Sequence, residues 1–190
     1  MDIEIKKLSP QLIEDYLHFF DHRAFCNHPE WAACYCMFYN FKATSDIWDK
    51  RTGPQNRNEA EKQIKSGKLK GFLAYHNNKP VGFCNANAKS ELFFDKYRFE
   101  INDTGTDAIV SVVCFVIDPD YRRKGISKLL LNKVINTYSG STYKFIESYP
   151  STGNNDEAAN YHGFYEMYNK MGFVEKSAYE KYSVMQLSVK

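Results

Sequence analysis

The chain has 190 residues, of which 43% are hydrophobic and 16% aromatic, so it carries enough apolar surface for one core and is not a disordered polypeptide. We expect one domain over residues 1–190. The formal net charge is only +2, and no apolar run approaches the ~20 residues needed to cross a bilayer, which argues against nucleic acid and membranes as partners.

The first fifty residues predict one strand and one helix before an irregular segment. Residues 3–7 alternate apolar and charged side chains, which is typical of an edge strand. Ser9 and Pro10 predict the N-cap and the first helical position of a helix that runs through Phe20. Residues 21–53 are rich in aromatic residues, His and Cys, and we expect irregular helix and loop there.

A surface helix and a hairpin are predicted next. Residues 54–66 are polar and precede Gly67, a pattern typical of a helix that ends at a glycine. Apolar segments within residues 73–84 flank the asparagine-rich turn 77–79, and asparagine tolerates the positive φ of a tight hairpin turn. Residues 89–106 predict a long loop, and such loops are often functional.

Residues 109–117 are continuously apolar and β-branched, which predicts a strand covered on both faces and stopped by Pro119. Apolar side chains then recur at the spacing of one helical face, at Ile126, Leu129, Leu130, Val134 and Ile135. A helix therefore begins directly after the basic turn 122–125. Its unpaired N–H groups and positive dipole end face whatever lies beyond the strand.

This strand, turn and helix predict a binding site for a diphosphate. Gly125 lets the backbone approach a phosphate without a Cβ in the way, and the residues around it are basic: Arg122, Arg123, Lys124 and Lys128. The alternative is an ordinary strand-to-helix connection with a solvated basic face, and the short motif alone does not separate the two. The single glycine excludes a Walker loop and a dinucleotide fingerprint.

The remaining residues predict the closing strands of the sheet. Gly140 separates the helix from a strand over residues 143–149. A loop at 150–155 leads to a helix from Asp156, and residues 173–189 predict a hairpin. The whole pattern indicates an α+β fold, in which a mixed sheet is flanked by helices.

Two motifs in the expected order resemble the GNAT superfamily of N-acetyltransferases. Its acetyl-CoA motif, [Q/R]-x-x-G-x-[G/A], stands here as Arg122-Arg-Lys-Gly-Ile-Ser127, with Ser127 in place of the usual Gly or Ala. A second segment, Tyr168-Asn-Lys-Met-Gly-Phe173, is similar to the Y-x-K-x-G-F segment of the family. Further similarity at residues 31–38, 148–150 and 162–163 points to a bacterial subgroup of this family. Taken together, the matching segments extend the resemblance over most of the chain.

The resemblance implies the GNAT fold, with about six to seven strands in a mixed central sheet and a splayed strand that binds the cofactor. Acetyl-CoA is the implied co-substrate. Its pantetheine would pair with the backbone at Phe115, Val116 and Ile117, and its diphosphate would bind at Arg122, Arg123, Lys124, Gly125, Ile126, Ser127 and Lys128. The implied acceptor is an amine of a small molecule or a peptide. Dimers are frequent in the family, so a homodimer is one assembly that the resemblance allows and that an experiment can test.

Acetyl transfer needs a neutral amine, a donor to the developing oxyanion and an acid for the departing thiolate. A backbone N–H of Phe115 or Val116 is the candidate oxyanion donor. Tyr168 matches the tyrosine that lies near the cofactor sulfur in the family, so the resemblance assigns it as the general acid. The alternative for Tyr168 is a core aromatic residue with a satisfied hydroxyl.

The general base is less well defined. Some family members carry a glutamate at the position that is Ser111 here, and serine is no base at neutral pH. Glu147, in the following strand, is the candidate if it points into the cleft, and a solvated strand residue is the alternative. A water relay and an amine that arrives already neutral also stay open. His162 is a further titratable candidate, which we expect on a helix surface.

The irregular segments supply aromatic side chains that could enclose an acceptor: Trp31, Tyr35, Tyr39, Phe93, Phe94, Tyr97, Tyr149 and Tyr161. We single out Trp31, Tyr35 and Tyr149 as acceptor-binding residues. The alternative for each of them is that it covers the sheet.

The five cysteines predict reduced thiols, because the N-terminus lacks the basic and then apolar order of a secretion signal and we expect a cytoplasmic protein. Potential zinc ligands concentrate in one segment, at His22, Cys26, His28, Cys34 and Cys36. Their C-x-C spacing is not that of a zinc knuckle, so we predict packing and no metal. Two rival functions stay open: a non-catalytic acyl-CoA sensor, and a metal-dependent or thiol enzyme.

Overall fold

A computed structural model describes residues 1–42, 44–94, 108–152 and 157–190, with the backbone alone at 157–159. Most of the predicted loop 89–106 and the predicted helix start at Asp156 lie outside the described residues.

The described strands form one sheet. They are β1 Glu4–Lys7, β2 Gly71–His76, β3 Lys79–Ala88, β4 Ile109–Ile117, β5 Phe145–Ser148, β6 Val174–Ala178 and β7 Ser183–Ser188. The seven strands lie in the order β1-β2-β3-β4-β5-β7-β6. Only β4 and β5 pair in parallel among these neighbours. The predicted α+β fold, the mixed sheet and the edge position of the first strand are confirmed.

Helices flank this sheet. The α-helices of the described residues are α1 Ile13–His22, α2 Ser45–Asp49, α3 Gly53–Lys65, α4 Ile126–Tyr138 and α5 Tyr165–Lys170. Short 3-10 segments lie at Pro10–Leu12, Pro29–Trp31, Lys89–Glu91, Pro119–Tyr121 and Glu157–His162. Within the described ranges, no helix has both the length and the apolar composition that a bilayer crossing requires.

The start of the first helix differs from its prediction. Residues 10–12 form a 3-10 turn, and the side chain of Ser9 caps no described N–H group. The Ser9 main-chain carbonyl instead accepts from the Leu12 N–H at 3.0 Å. Ser9 is thus the N-cap and Pro10 opens the helical segment, as predicted, but the first turn is a 3-10 turn that the Ser9 main-chain carbonyl holds.

The β2–β3 hairpin follows its prediction closely. Asn77 and Asn78 have left-handed φ values of 50° and 60°, and they form the two residues between the strands. A two-residue turn with two positive φ values matches the right-handed twist of the flanking strands.

The sheet is covered on both faces along β4, as predicted. Val110, Val112 and Phe115 pack in the cluster that contains the apolar face of α4. Cys114 and Val116 point the other way, into the cluster that contains α1. The strand that carries the predicted cofactor contacts is therefore held by packing from above and below.

Candidate active site

β4 and β5 separate halfway along β4. Residues 109–112 pair with residues 145–148, and this pairing ends at Val112 and Ser148. The chain after β5 then follows β7, since the Ser183 N–H donates to the Pro150 carbonyl at 3.0 Å. β4 itself continues to Ile117, so in the described structure its last five residues have moved out of the β5 ladder. The splayed strand is confirmed, and Phe115, Val116 and Ile117 lie in its open part.

A β-bulge marks the point of separation. Asn85 of β3 lies opposite Cys114, whereas the next residue, Ala86, lies opposite Val112. Val113 is therefore the extra residue of the bulge, and both it and Cys114 face away from α4. A bulge bends its strand and re-aims the local main chain, and bulges are frequent beside active sites.

The turn after β4 leads directly into the N-terminus of α4. Gly125 has a left-handed φ of 81°, and Arg123 has a left-handed φ of 60°. The first helical bond runs from the Leu129 N–H to the Gly125 carbonyl at 3.1 Å, so the N–H groups of residues 126–128 have no partner within the helix. A Cβ placed on Gly125 would find no described atom within 4 Å, so this backbone faces open space.

Basic side chains surround this turn. The Arg122 Nε donates to the Ile117 carbonyl at 3.3 Å, and the Lys124 Nζ donates to the Asp120 carbonyl at 2.8 Å. Arg123 and Lys128 are exposed. The structure thus brings the predicted diphosphate residues together at the end of the splayed strand, with donors and positive charge around the open side of Gly125.

Tyr168 lies on the face of the sheet that α4 covers. Its side chain is fully buried, and its hydroxyl donates to the His162 carbonyl at 2.5 Å. Burial raises the pKa of this phenol, so it is protonated at neutral pH. Gly163, with a φ of 85°, allows the close approach, because a Cβ there would lie 3.1 Å from the Tyr168 hydroxyl oxygen.

Glu147 points to the opposite face, into a buried polar network. Its carboxylate accepts from the Lys89 Nζ at 2.8 Å and from the Gln186 Nε2 at 3.1 Å, and both charged side chains are buried. The Tyr149 hydroxyl donates to the same carboxylate at 3.2 Å and lies 2.7 Å from the Ser111 hydroxyl. Glu147 is therefore not a solvated strand residue.

His162 is buried, so its predicted position on a helix surface was wrong. It ends the 3-10 segment that packs against β4, and 5% of its surface is exposed. Its Nε2 lies 2.9 Å from the Tyr39 hydroxyl, while its carbonyl accepts from Tyr168. Burial lowers its pKa to about 3. The imidazole is therefore neutral at pH 7, because the interior disfavours its charged form.

This burial predicts an acid-sensitive stability. The unfolded chain binds a proton at His162 below its ordinary pKa of 6.5, whereas the folded chain does so only near 3. Between these values the unfolded state binds more protons, so the free energy of unfolding falls as pH falls, by up to about 1.4 kcal/mol per pH unit. Urea unfolding at pH 7.5 and 5.5 should show a smaller loss for His162→Gln than for the unaltered chain. An unchanged loss would contradict the assignment, and the exposed His18, as His18→Gln, is the control.

The predicted acceptor residues are dispersed. Tyr149 is fully buried in a cluster with the bulge residue Val113, and Tyr39 belongs to the same cluster. Trp31 instead stacks on His28, with 3.9 Å between ring centroids. Tyr35 packs with α1. Its hydroxyl donates to Asp21 at 2.6 Å.

The other predicted aromatic residues divide in the same way. Phe94 and Tyr161 pack against the cluster of Tyr149, whereas Tyr97 lies outside the described residues. Of the three residues singled out from the sequence, only Tyr149 is thus placed at the opening between β4 and β5. The acceptor role of all three stays a prediction.

The part of the cysteine-rich segment around Cys36 packs against β4, whereas Cys26 is exposed. Burial of its thiol raises the pKa of Cys34 to about 12, although the residue as a whole is only partly buried. The Cys36 Sγ lies 2.9 Å from the Cys114 Sγ, and both residues are buried. Protonated thiols are poor nucleophiles and poor metal ligands. Across the described ranges, no three side chains of His, Cys, Asp or Glu converge in a way that could hold a metal ion.

Two members of the polar network were missed by sequence reasoning. Lys89 and Gln186 hold the Glu147 carboxylate. In the sequence, however, both are ordinary polar residues, Lys89 directly after β3 and Gln186 within β7. Only the alternation of side chains along β5 indicated where Glu147 points, since Ile146 and Glu147 must lie on opposite faces of the sheet. The alternation does not indicate which residues contact the carboxylate.

Comparisons with known proteins agree with this geometry. The sequence profile of the acetyltransferase (GNAT) family matches residues 35–173. None of the curated proteins compared with the chain matches it. A GNAT-family acetyltransferase from Streptococcus pneumoniae has a similar structure, with a TM-score of 0.56, 20% identity and 100% of both chains covered.

Two structures with bound cofactor have the same fold. The PaiA N-acetyltransferase of Thermoplasma acidophilum, in complex with coenzyme A, gives a TM-score of 0.56 at 15% identity over 99% of each chain. A putative acetyltransferase from Salmonella typhimurium, YncA, with acetyl-CoA gives 0.54 at 13% identity over 99% of this chain and 94% of the other. Since the family profile spans more than half of the sequence, and the splayed strand and the glycine turn stand where the resemblance predicts them, the chain belongs to the GNAT family of acetyltransferases.

Proposed function

We propose that this protein transfers an acetyl group from acetyl-CoA to a primary amine of a small molecule or peptide. The observation that carries the proposal is the continuous path from the open part of β4 to the N-terminus of α4. Backbone groups of Phe115 to Ile117 along that path would pair with the pantetheine, and the turn 122–128 would bind the diphosphate. The residues present fit this cofactor, because the turn combines free N–H donors with positive charge.

Glu147 is proposed as the proton acceptor for the amine. Ser111, where some family members have a glutamate, pairs directly with Glu147 in the parallel ladder, so a carboxylate is present one strand over. Lys89 and Gln186 hold that carboxylate in place, and Tyr149 connects it to the opening at the bulge. A proton leaving the amine can therefore reach Glu147 through the Tyr149 hydroxyl.

Tyr168 is proposed as the general acid. The amine nitrogen attacks the thioester carbonyl carbon, the C–S bond breaks, and the departing thiolate takes the phenolic proton of Tyr168. The raised pKa of the phenol keeps that proton in place until a thiolate forms. The hydroxyl donates to the His162 carbonyl, so the acid role requires it to exchange this acceptor for the cofactor sulfur.

Acceptor identity is proposed only as a class. The aromatic cluster around Val113 lies on the face opposite to Tyr168 and suits a small amine with an apolar or aromatic body. A cytoplasmic location and a homodimer stay predictions.

The cofactor site is tested by replacing Gly125 with valine. We expect the Kd for CoA to rise at least about tenfold, because a β-branched side chain is strained at a φ of 81° and would fill the phosphate approach. Gly140→Val is the matched control, since Gly140 has a similar φ of 70°, equally open surroundings and a position at the far end of α4. Calorimetry that gives equal CoA affinity for both variants would contradict the proposed diphosphate site at this turn.

Turnover is tested with acetyl-CoA and a panel of amines, by following the release of free thiol. Saturable, amine-dependent release is the expected result. CoA binding without thiol release for any amine would favour the acyl-CoA sensor, a function supported by the three donors that already hold the Glu147 carboxylate.

A further inference from the structure

Arg23 connects the end of α1 to the turn that leads into the diphosphate site. Its Nε donates to the Asp118 Oδ2 at 2.7 Å and its Nη2 to the Asp118 Oδ1 at 3.0 Å. The same Nη2 donates to the Asp120 Oδ2 at 2.7 Å. One guanidinium thus holds both carboxylates that lie between β4 and the basic turn.

Asp118 is a structural element of this turn. Its side chain is 2% exposed and accepts from the Asp120 N–H at 3.0 Å, which caps the 3-10 segment before the basic residues. Its own N–H donates to the Val81 carbonyl at 3.0 Å. The orientation of Asp118 therefore determines the direction in which the chain leaves β4 toward Gly125.

Charge gives the Arg23 contacts a second role. Asp118 and Asp120 place two negative charges in the turn that would bind a diphosphate, and like charges repel. Arg23 neutralises part of that charge. Asn27, which follows Arg23 in the same segment, makes a second contact with the turn. It accepts at its Oδ1 from the Arg122 Nη2 at 3.3 Å and so holds the next part of the turn.

The side of the turn that Arg23 holds is open. Arg23, Asp118, Asp120 and Lys124 line a cavity of about 840 Å³, with Asp15, His18, His76 and Lys79 among the residues around it. The bridges from the Arg23 guanidinium thus form part of the wall of this cavity. Sequence alone does not connect Arg23 with a turn about a hundred positions later.

We propose that Arg23 is a positioning residue for the cofactor: it orients the 118–125 turn through Asp118 and offsets the carboxylates that would repel the diphosphate. This inference rests on the proposed function, and it adds that residues from the segment before the acceptor region control cofactor affinity. Arg23 itself need not touch CoA.

The experiment measures the Kd for CoA by calorimetry in Arg23→Ala, Arg23→Lys and the double variant Arg23→Ala/Asp120→Asn. We expect Arg23→Ala to bind CoA at least about tenfold more weakly and Arg23→Lys to fall between, because lysine keeps the charge without the forked geometry. The double variant should regain several-fold of the lost affinity, since one repelling carboxylate is gone. A purely structural role of Arg23 would not be rescued by removing the charge of Asp120, whose side chain is 75% exposed.

Arg57→Ala is the matched control. Arg57 has the same 40% exposure as Arg23 and a comparable forked pair with Asp21 at 3.1 Å, but it does not reach the turn. Its CoA affinity should stay within about twofold of the unaltered chain. If Arg23→Ala does not fold, Asp120→Asn alone remains decisive, with tighter CoA binding expected.

The outcomes separate the two proposals. An unaltered chain that binds no CoA overturns the proposed function and this inference with it. Normal CoA binding by the unaltered chain together with unchanged affinity in Arg23→Ala, or in Asp120→Asn where Arg23→Ala cannot be made, overturns the inference about Arg23 alone.

Discussion

Tyr168→Phe is expected to lower kcat by about 10²–10⁴-fold while the Kd for CoA changes little. The substitution removes one oxygen, and with it the only proton that the phenol can give to the departing thiolate. The aromatic packing of the ring, including its contact with Phe173 at 5.1 Å between centroids, is retained. Steady-state kinetics with an accepted amine, together with calorimetry for CoA, measure the two quantities separately.

Tyr16→Phe is the control for this substitution. Tyr16 is also fully buried, and its hydroxyl also donates to a main-chain carbonyl, that of Tyr35 at 2.6 Å. The two variants therefore lose the same kind of hydrogen bond, and only one of them loses the proposed acid. A normal kcat in Tyr168→Phe, or an equal loss in both variants, would contradict the acid role.

Lys89→Met should destabilise the protein by about 3–5 kcal/mol, because it leaves the Glu147 carboxylate buried without its main counter-charge. Both side chains are almost fully inaccessible, at 2% and 0% exposure, so water cannot replace the ammonium. Urea unfolding monitored by circular dichroism measures the change. A large loss would show that the network depends on charge pairing as well as on shape.

Lys176→Met is the matched control for Lys89→Met. Lys176 also approaches Glu147, at 3.8 Å, but its side chain is 40% exposed, and we expect a loss below about 1 kcal/mol. The double variant Lys89→Met/Glu147→Leu should recover much of the stability, since an apolar pair replaces a broken ionic one. A double variant as unstable as Lys89→Met would point to lost packing and against an uncompensated charge.

The local elements of the fold were predictable because their signals are local. The apolar run at 109–117, the asparagines at 77–78 and the glycine before Ile126 each constrain the backbone of a few neighbouring residues. Their elements appear in the structure as predicted. The 3-10 turn at residues 10–12 also has a local cause, since the Ser9 carbonyl accepts its first bond within one turn.

The candidate site also contains some residues that local motifs reveal and others that only the tertiary structure reveals. Gly125 and Tyr168 stand in recognisable motifs, whereas the partners of Glu147 come from a 3-10 segment, from β6 and β7, and from the residue after β5. The burial of His162 depends on how the 3-10 segment 157–162 packs against β4. Its periodicity carries no sign of that packing, which is why a surface position was expected.

By itself the sequence determined the order of strands and helices, the basic turn at a helix N-terminus and the membership in an acetyltransferase family. The tertiary structure alone decided that Glu147 faces Lys89, that Trp31 and Tyr35 lie apart from Tyr149, and that Arg23 holds Asp118. Backbone propensities act over a few residues, so they can be read along the chain. Contacts between side chains far apart in sequence depend on the packing of the whole sheet, and no short pattern encodes them.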